Sequence, residues 1–256
     1  MSMKLLKKLG IGLGIVILSI LVIIISAGVF LHESRPEGQA GAKADELASQ
    51  MMEAVDCAAW DTLEVISWNF GGRNQHLWDK NRHLDRLIYG EYEVLIDLNS
   101  RWGIVKKNGQ RVDDSKARKI LDKAWASWAN DSFWLNPVCK AFDEGTDRYL
   151  VDIEGEESAV MVSYRSGGVT PGDSYLWILD KNFRPKKWKM WVKIIPIGGV
   201  ASTWEDWQTL YNGAQVASTH AMSFGDFQLE LTQINAGTAE KMYSDGDPFQ
   251  ELVGNQ

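Results

Sequence analysis

Three side chains in the first third of the chain have the types that bind metals or move protons: His76, Asp79 and His83. An imidazole can ligate a divalent metal, and it titrates near neutral pH. Two histidines seven residues apart could meet across a hairpin with the aspartate between them. Metal sites usually show closer ligand spacing and a second layer of partners. We therefore predict a polar strand edge here, with no bound metal or cofactor, and keep a metal-dependent enzyme as an alternative.

Other catalytic motifs are missing from the sequence. It contains no G-x-S-x-G nucleophile elbow, no P-loop and no G-x-G-x-x-G before a helix. The formal net charge is −7, and three N-terminal lysines contribute +3, which leaves −10 on the rest of the chain. Because nucleic-acid binding depends on basic residues that neutralise phosphates, an acidic domain of this kind is not expected to bind nucleic acid. The sequence predicts a protein that is not an enzyme.

Twelve tryptophans are the most distinctive feature of the composition. A tryptophan buries a large apolar area and carries one N–H that needs a hydrogen-bond partner. Several of these residues fall in predicted strands or on a predicted helix, where they could line a cavity inside a curved sheet. The predicted ligand-binding residues are Trp68, Phe70, Trp78, Trp125, Trp134, Trp177, Trp188 and Met190. The alternative is a tryptophan-rich core with no ligand.

Two amphipathic helices and a series of short strands would position these residues. Ala44, Leu47, Met51 and Val55 recur at spacings of three and four, which predicts a helix over 43–60. A second helix is predicted over about 114–129, with Asp113 as its N-cap. Short β-rich runs separated by glycine and asparagine predict an antiparallel meander. The predicted strands are 64–70, 84–89, 92–98, 102–107, 148–154, 159–165, 174–180, 186–195, 206–211, 214–221 and 226–234.

These elements predict a mainly β (α+β) fold. About ten or eleven strands would form one curved antiparallel sheet or an unclosed β-barrel, because strands twist with a fixed hand. The two helices would cover the open side, where each can bury its apolar stripe. The β-rich domain would occupy residues 43–236, between a linker at 32–42 and a loose C-terminal tail at 237–256.

The N-terminal segment predicts a membrane anchor. Residues 10–31 are 22 residues without a charge, long enough to cross a bilayer. The apolar part of a cleaved secretory signal is shorter, so a transmembrane signal-anchor is favoured over a cleaved signal. Lys4, Lys7 and Lys8 precede the segment and mark residues 1–9 as cytoplasmic. We therefore expect a single-pass protein of the cytoplasmic (inner) membrane, whose domain faces the periplasm or the cell exterior.

The chain has two cysteines, Cys57 and Cys139. Outside the cytosol they could form a disulfide. Cysteine is also among the most buried residue types, and two separate buried thiols are the favoured prediction.

The order of elements resembles the bacterial lipoprotein-carrier superfamily (LolA/LolB-like), including uncharacterised envelope proteins of that group. The resemblance covers roughly residues 43–235. The matching stretches are WNFGG at 68–72, HLWD at 76–79, WASWANDSFW at 125–134, TPGDSY at 170–175, WKMW at 188–191 and GGVASTWEDW at 198–207. It implies an unclosed barrel with a helical lid around an apolar cavity for acyl chains. The chain departs from that group by its predicted membrane helix and by the lack of a lipobox cysteine.

We expect from these features a non-catalytic, membrane-anchored envelope domain that binds a lipid or other apolar ligand in a half-barrel cavity. An envelope protein is a further expected partner. The alternative is an envelope interaction or scaffold protein with a solid core. Its expected sign is an exposed apolar patch, for which Trp204 and Trp207 are candidates.

Overall fold

The computed structural model describes residues 28, 31–155, 158–166 and 170–254. The predicted anchor at 10–31 lies outside the described residues, apart from Gly28 and Leu31, as does the predicted cytoplasmic segment 1–9. Within the described part of the chain, no helix combines the length and apolar character needed to cross a membrane.

The described residues form five α-helices, one 3-10 helix and fourteen strands. The helices are α1 (Ala42–Ala54), α2 (Cys57–Asp61), α3 (Asp114–Phe133), α4 (Ala239–Met242) and α5 (Gln250–Val253), with the 3-10 helix at Pro137–Lys140. The strands are β1 (Val65–Phe70), β2 (Asn74–Asp79), β3 (Leu84–Tyr89), β4 (Tyr92–Asp97), β5 (Gly103–Lys107), β6 (Gln110–Arg111), β7 (Thr146–Leu150), β8 (Ser158–Tyr164), β9 (Ser174–Leu179), β10 (Pro185–Trp191), β11 (Val200–Thr203), β12 (Glu205–Thr209), β13 (Gln215–Ala221) and β14 (Gln228–Gly237).

The strands form two antiparallel sheets, neither of which closes into a barrel. The large sheet has nine strands in the order β12-β13-β14-β1-β2-β3-β4-β5-β6, and the small sheet has five in the order β11-β10-β9-β8-β7. The chain crosses from the small to the large sheet at Trp204, the one residue between β11 and β12. The mainly β, unclosed antiparallel architecture is therefore confirmed.

The prediction of one sheet with ten or eleven strands was wrong. The structure adds three strands, β2, β6 and β11, and divides the total between two sheets. Strands β6 and β11 have two and four residues, too few to show a periodic pattern. Strand β2 has the sequence NQHLWD, and its polar residues obscure the alternation that marks a half-buried strand.

The two predicted helices are present with changed limits. The first is broken at Asp56, whose φ of 54° is left-handed. The Asp56 carboxylate then caps α2 by accepting from the Ala59 N–H at 3.0 Å. Helix α3 begins after Asp113 as predicted, and the Asp113 side chain accepts from the Ser115 N–H. It continues to Phe133, past the predicted end, and its residue Asp131 is buried and bonded to His76 at 3.0 Å.

A disulfide joins Cys57 of α2 to Cys139 of the 3-10 helix. The favoured prediction of two separate thiols was therefore wrong. The residues are 82 positions apart, but their Cα atoms lie 5.3 Å from each other, within the range that a disulfide requires. Packing of the two short helices creates this proximity, which no local sequence pattern reports.

The segments on either side of the predicted domain pack against the sheets. Gln39 and Leu150 exchange two backbone hydrogen bonds of 2.8 and 2.9 Å, so part of the predicted linker lies along β7. In the predicted tail, Phe249 and Leu252 are fully buried against Leu84 and other apolar residues of the large sheet. These two side chains cover one face of the large sheet, and α3 packs against the opposite face.

Candidate functional site

The structure distributes the eight predicted ligand-binding residues over three connected apolar clusters. The predicted residues that belong to the small sheet lie together in a first apolar cluster. Trp68 and Phe70 lie in a second cluster, and Trp125 packs against a third. Trp134 joins the first two clusters, and Trp78 joins the second and third. The small-sheet members are Trp177, Trp188 and Met190.

The aromatic core of the small sheet is densely packed. The Trp188 ring lies 4.9 Å from Trp134, 4.9 Å from Trp177 and 5.0 Å from Trp204, measured between ring centroids. Trp204 also lies 4.4 Å from the His220 ring. Because only 2% of Trp204 is exposed, the expectation that it forms an exposed patch with Trp207 was wrong. These rings pack directly against one another.

A second group of rings, which we name the tryptophan row, lies between strand β2 and helix α3. It consists of Trp60, Trp78, Trp128 and Trp125, with successive ring centroids 6.4, 5.3 and 6.4 Å apart. Three of them, all except Trp60, are only half-buried. Trp60 and Trp128 were not among the eight predicted ligand-binding residues, although the spacing of three between Trp125 and Trp128 places both on one face of the second predicted helix.

Each end of the tryptophan row carries a cation. The Lys80 ammonium lies 4.4 Å from the centroid of Trp60, and the Arg101 guanidinium lies 3.6 Å from that of Trp125. Burial lowers the pKa of Lys80 to about 8, so the amine titrates close to neutral pH. Both cations lie over the faces of the end rings, an arrangement that the quadrupole of the indole ring stabilises.

Two indole N–H groups inside the tryptophan row are unpaired. The Nε1 atoms of Trp78 and Trp128 are buried, and no group of the described residues accepts a hydrogen bond from them. Trp125 differs, because its Nε1–H donates to the Leu98 carbonyl at 3.1 Å. Buried tryptophan N–H groups usually have a partner. The Nε1 atoms of Trp68, Trp188 and Trp204 are buried and unpaired as well, so the two donors of the row are of interest because they lie beside half-buried rings.

A buried ionic group, which we name the His76 cluster, lies under the same helix. The His76 ring makes hydrogen bonds to Asp85 through Nδ1 at 2.9 Å and to Asp131 through Nε2 at 3.0 Å. The ring stacks on Trp68 with centroids 4.4 Å apart. Asn74 also donates to Asp131, at 2.6 Å. Strands β2 and β3 and helix α3 are thereby joined at one point.

Electrostatics keep His76 protonated at neutral pH. Burial lowers the pKa of the imidazole, but Asp85 and Asp131 together outweigh that effect and raise the pKa to about 9. Burial also raises the pKa of Asp85. Both ring nitrogens already bind carboxylates, so neither is available to a metal. Sequence analysis singled out His76 but missed both of its partners.

The three residues of the predicted metal-binding alternative do not meet. Asp79 lies three positions from His76 on β2 and therefore points to the opposite face of the sheet. There it accepts from the Arg82 Nε–H at 2.7 Å and from the Tyr243 hydroxyl at 2.7 Å. His83 is exposed in a turn with φ of 54°. In the part of the chain that the structure describes, no three His, Cys, Asp or Glu side chains form a group that could hold a metal.

Two open clefts of about 340 and 260 Å³ lie on the large sheet. The first is lined by residues of β12, β13 and β14, and the second by residues of β1, β2 and β3 together with Gln233. Of the eight predicted ligand-binding residues, only Trp68 lines either cleft. These clefts are distinct from the tryptophan row.

Comparison with known proteins finds similarity at the level of solved structures. No protein-family model and no curated protein matches the chain. A DUF1329 family protein from Desulfovibrio piger is 11% identical over 77% of this chain and 94% of that chain, with a TM-score of 0.39. A domain described as that of an outer membrane lipoprotein-sorting protein from Vibrio parahaemolyticus is 8% identical over 75% of this chain and 94% of that chain, with a TM-score of 0.34. Likeness at this level assigns neither a family nor a function to the chain.

Proposed function

We propose that this protein is a non-catalytic envelope domain that binds a lipid, or another apolar ligand with an anionic end, along the tryptophan row. The domain would be held at the outer face of the cytoplasmic membrane by the N-terminal segment. The observation that carries the proposal is the row itself: half-buried rings, two unpaired indole N–H groups and a cation at each end.

The chemistry of the row suits an acyl chain. A hydrocarbon chain would cover the exposed parts of the Trp78, Trp125 and Trp128 rings, with a gain of about 25 cal/mol for each Å² removed from water. A carboxylate or ester oxygen would accept from the unpaired N–H groups, and the anionic end would lie beside Lys80 or Arg101. A ligand with no polar atom would leave the N–H groups unpaired.

Ligand binding along the row requires helix α3 to move. Trp128 of α3 contacts Trp78 of β2 directly in the structure. The helix is held by the hydrogen bond from the Trp125 N–H to Leu98 and by the link between His76 and Asp131. Its C-terminal half would separate from β2, while Ala117 and Leu121 keep the N-terminal half packed on the large sheet.

Photo-crosslinking of the full chain tests this proposal. The chain is reconstituted in vesicles, a diazirine-bearing palmitic acid is added, and the labelled peptides are identified by mass spectrometry. We expect labelling around Trp78 and Trp128 that excess palmitate removes. Labelling that palmitate does not reduce, or that is spread evenly over the surface, would contradict the proposal.

Matched tryptophan variants make the test specific. Trp128→Ala should reduce the palmitate-sensitive labelling at least tenfold, whereas Trp102→Ala, which removes an exposed ring outside the row, should not change it. Trp128→Phe keeps an aromatic ring but removes the N–H, and a lost hydrogen bond of about 1 kcal/mol corresponds to roughly fivefold weaker binding. Equal labelling in Trp128→Ala and Trp102→Ala would count against the row as the binding site.

The packed aromatic core of the small sheet favours a second candidate, an envelope scaffold or interaction protein. In this core the Trp188 ring packs directly against the rings of Trp134 and Trp177. Trp207 stays half-buried at the edge of this core. A co-purifying protein that is lost in Trp207→Ala, together with no palmitate-sensitive labelling, would favour this candidate over lipid binding.

A further inference from the structure

Three of the exposed large apolar side chains of the described residues lie in two loops joined through strand β11 of the small sheet. Among the large apolar residues of the described chain, Ile194 is the most exposed at 71%, and Phe227 and Phe224 are 55% and 48% exposed. Ile194 lies in the loop between β10 and β11, and the two phenylalanines lie in the turn between β13 and β14. Apolar side chains of this size are usually covered when they occur together.

Hydrogen bonds attach the turn between β13 and β14 to strand β11. The Ser223 N–H donates to the Ala201 carbonyl at 2.9 Å, and the Ala201 N–H donates to the Ser223 hydroxyl oxygen at 3.0 Å. Ala201 is the second residue of β11, and β11 directly follows the loop that contains Ile194. The turn that carries Phe224 and Phe227 is therefore attached to the strand that follows Ile194.

The N-terminal segment reaches the domain at this same end. The Gly198 N–H donates to Nδ1 of His32 at 3.0 Å, and the Glu33 N–H donates to the Gly198 carbonyl at 2.9 Å. Gly198 is three residues from Ala201, so the two contact points are at most about 10 Å apart along the chain. The uncharged segment 10–31 ends at Leu31, directly before His32.

Several contacts hold the residues that follow Leu31 against the small sheet. The Trp191 indole N–H donates to the Glu33 carbonyl at 2.8 Å, and Lys189 pairs with the Glu33 carboxylate at 2.5 Å. Two residues further on, Arg35 donates to the Ser174 hydroxyl oxygen at 3.1 Å. Because these bonds begin at the first residues after Leu31, they fix how the domain is oriented relative to the end of the segment.

We propose that this end of the domain rests on the lipid bilayer and inserts Ile194, Phe224 and Phe227 into its interface. The occupant of the apolar surface is the bilayer because the segment predicted to span it ends within hydrogen-bonding reach of the Ile194 loop. Lys193, exposed beside Ile194, is placed to contact anionic lipid headgroups, as basic residues near membrane segments do. The inference rests on the predicted anchor and is independent of ligand binding along the tryptophan row.

Depth-dependent fluorescence quenching in the full chain tests this orientation. An environment-sensitive nitrobenzoxadiazole probe is attached to Ile194→Cys or Phe224→Cys under non-reducing conditions. Asn182→Cys is the control, because its exposed turn between β9 and β10 lies at the opposite end of the same sheet, about 23 Å away for a seven-residue strand. Each protein is reconstituted in vesicles of phosphatidylethanolamine and phosphatidylglycerol that contain doxyl-labelled lipid.

We expect lipid quenching at positions 194 and 224 to be at least twice that at position 182. Phe224→Asp with Phe227→Asp should reduce the quenching at position 194, because charged side chains are driven out of the interface, while circular dichroism stays unchanged. Equal quenching at all three positions would overturn the proposal, as would loss of the protein from the vesicles. Neither result depends on the palmitate labelling.

Discussion

Replacing His76 and Asp85 should remove a pH dependence from the stability of this domain. A histidine whose pKa is higher in the folded protein than in the unfolded chain stabilises the fold fully below the unfolded value. That stabilisation is lost as the pH rises through the folded value. For His76 the two values are 6.5 and about 9, a difference equivalent to about 3 kcal/mol of unfolding free energy.

The comparison protein is His76→Gln with Asp85→Asn, which replaces two of the three buried ionisable groups of the His76 cluster by neutral amides. Urea unfolding of the full chain in detergent micelles, followed by tryptophan fluorescence, would be measured from pH 6 to pH 10. We expect the unmodified chain to lose about 3 kcal/mol relative to the double variant over this range. Lys80, whose pKa burial lowers to about 8, acts in the opposite direction but is present in both proteins and cancels in the difference.

The single variant His76→Gln gives a second result. It leaves the Asp85 and Asp131 carboxylates buried without their shared cation, which should cost about 3–5 kcal/mol at pH 7. Adding Asp85→Asn should then recover part of that loss. If the unmodified chain and the double variant show the same pH dependence, His76 is not held as a cation by these carboxylates, and the reasoning is refuted.

Three further changes test individual contacts of the fold. Cys57→Ser with Cys139→Ser should lower the unfolding free energy by about 4 kcal/mol, because the disulfide closes a long loop. An unfolding free energy of the unmodified chain that does not change on addition of reductant would contradict this. Phe249→Ala should cost about 3–5 kcal/mol in urea unfolding, whereas Val253→Ala at an exposed position of the helix that follows Phe249 should cost little. Asp113→Ala should cost about 1 kcal/mol through loss of the α3 cap, and Asp113→Ser should restore most of it.

Local patterns were sufficient to predict much of the secondary structure. The spacing of Ala44, Leu47, Met51 and Val55 predicted a buried helical face, and all four residues are buried. Asp113 marked the start of α3 because an N-cap depends on neighbouring backbone groups. Alternation and turn residues predicted most strands. The sequence predicted only a polar strand edge around His76, and the limits of β2 were missed because its buried polar residue His76 is stabilised by partners from other elements.

The sequence by itself determined most of the strands, the two amphipathic helical segments and the uncharged segment that precedes the domain. The tertiary structure decided which distant side chains meet. Asp131 lies 55 residues from His76 and Cys139 lies 82 residues from Cys57, and both contacts depend on how α3 and the 3-10 helix lie on the sheets. Because residues 74–79 form a strand in the sheet, His76 and Asp79 face opposite sides of the large sheet, since successive side chains of a strand point to opposite faces. The tryptophan row likewise forms only where α3 packs across β2, because its rings come from three separate elements.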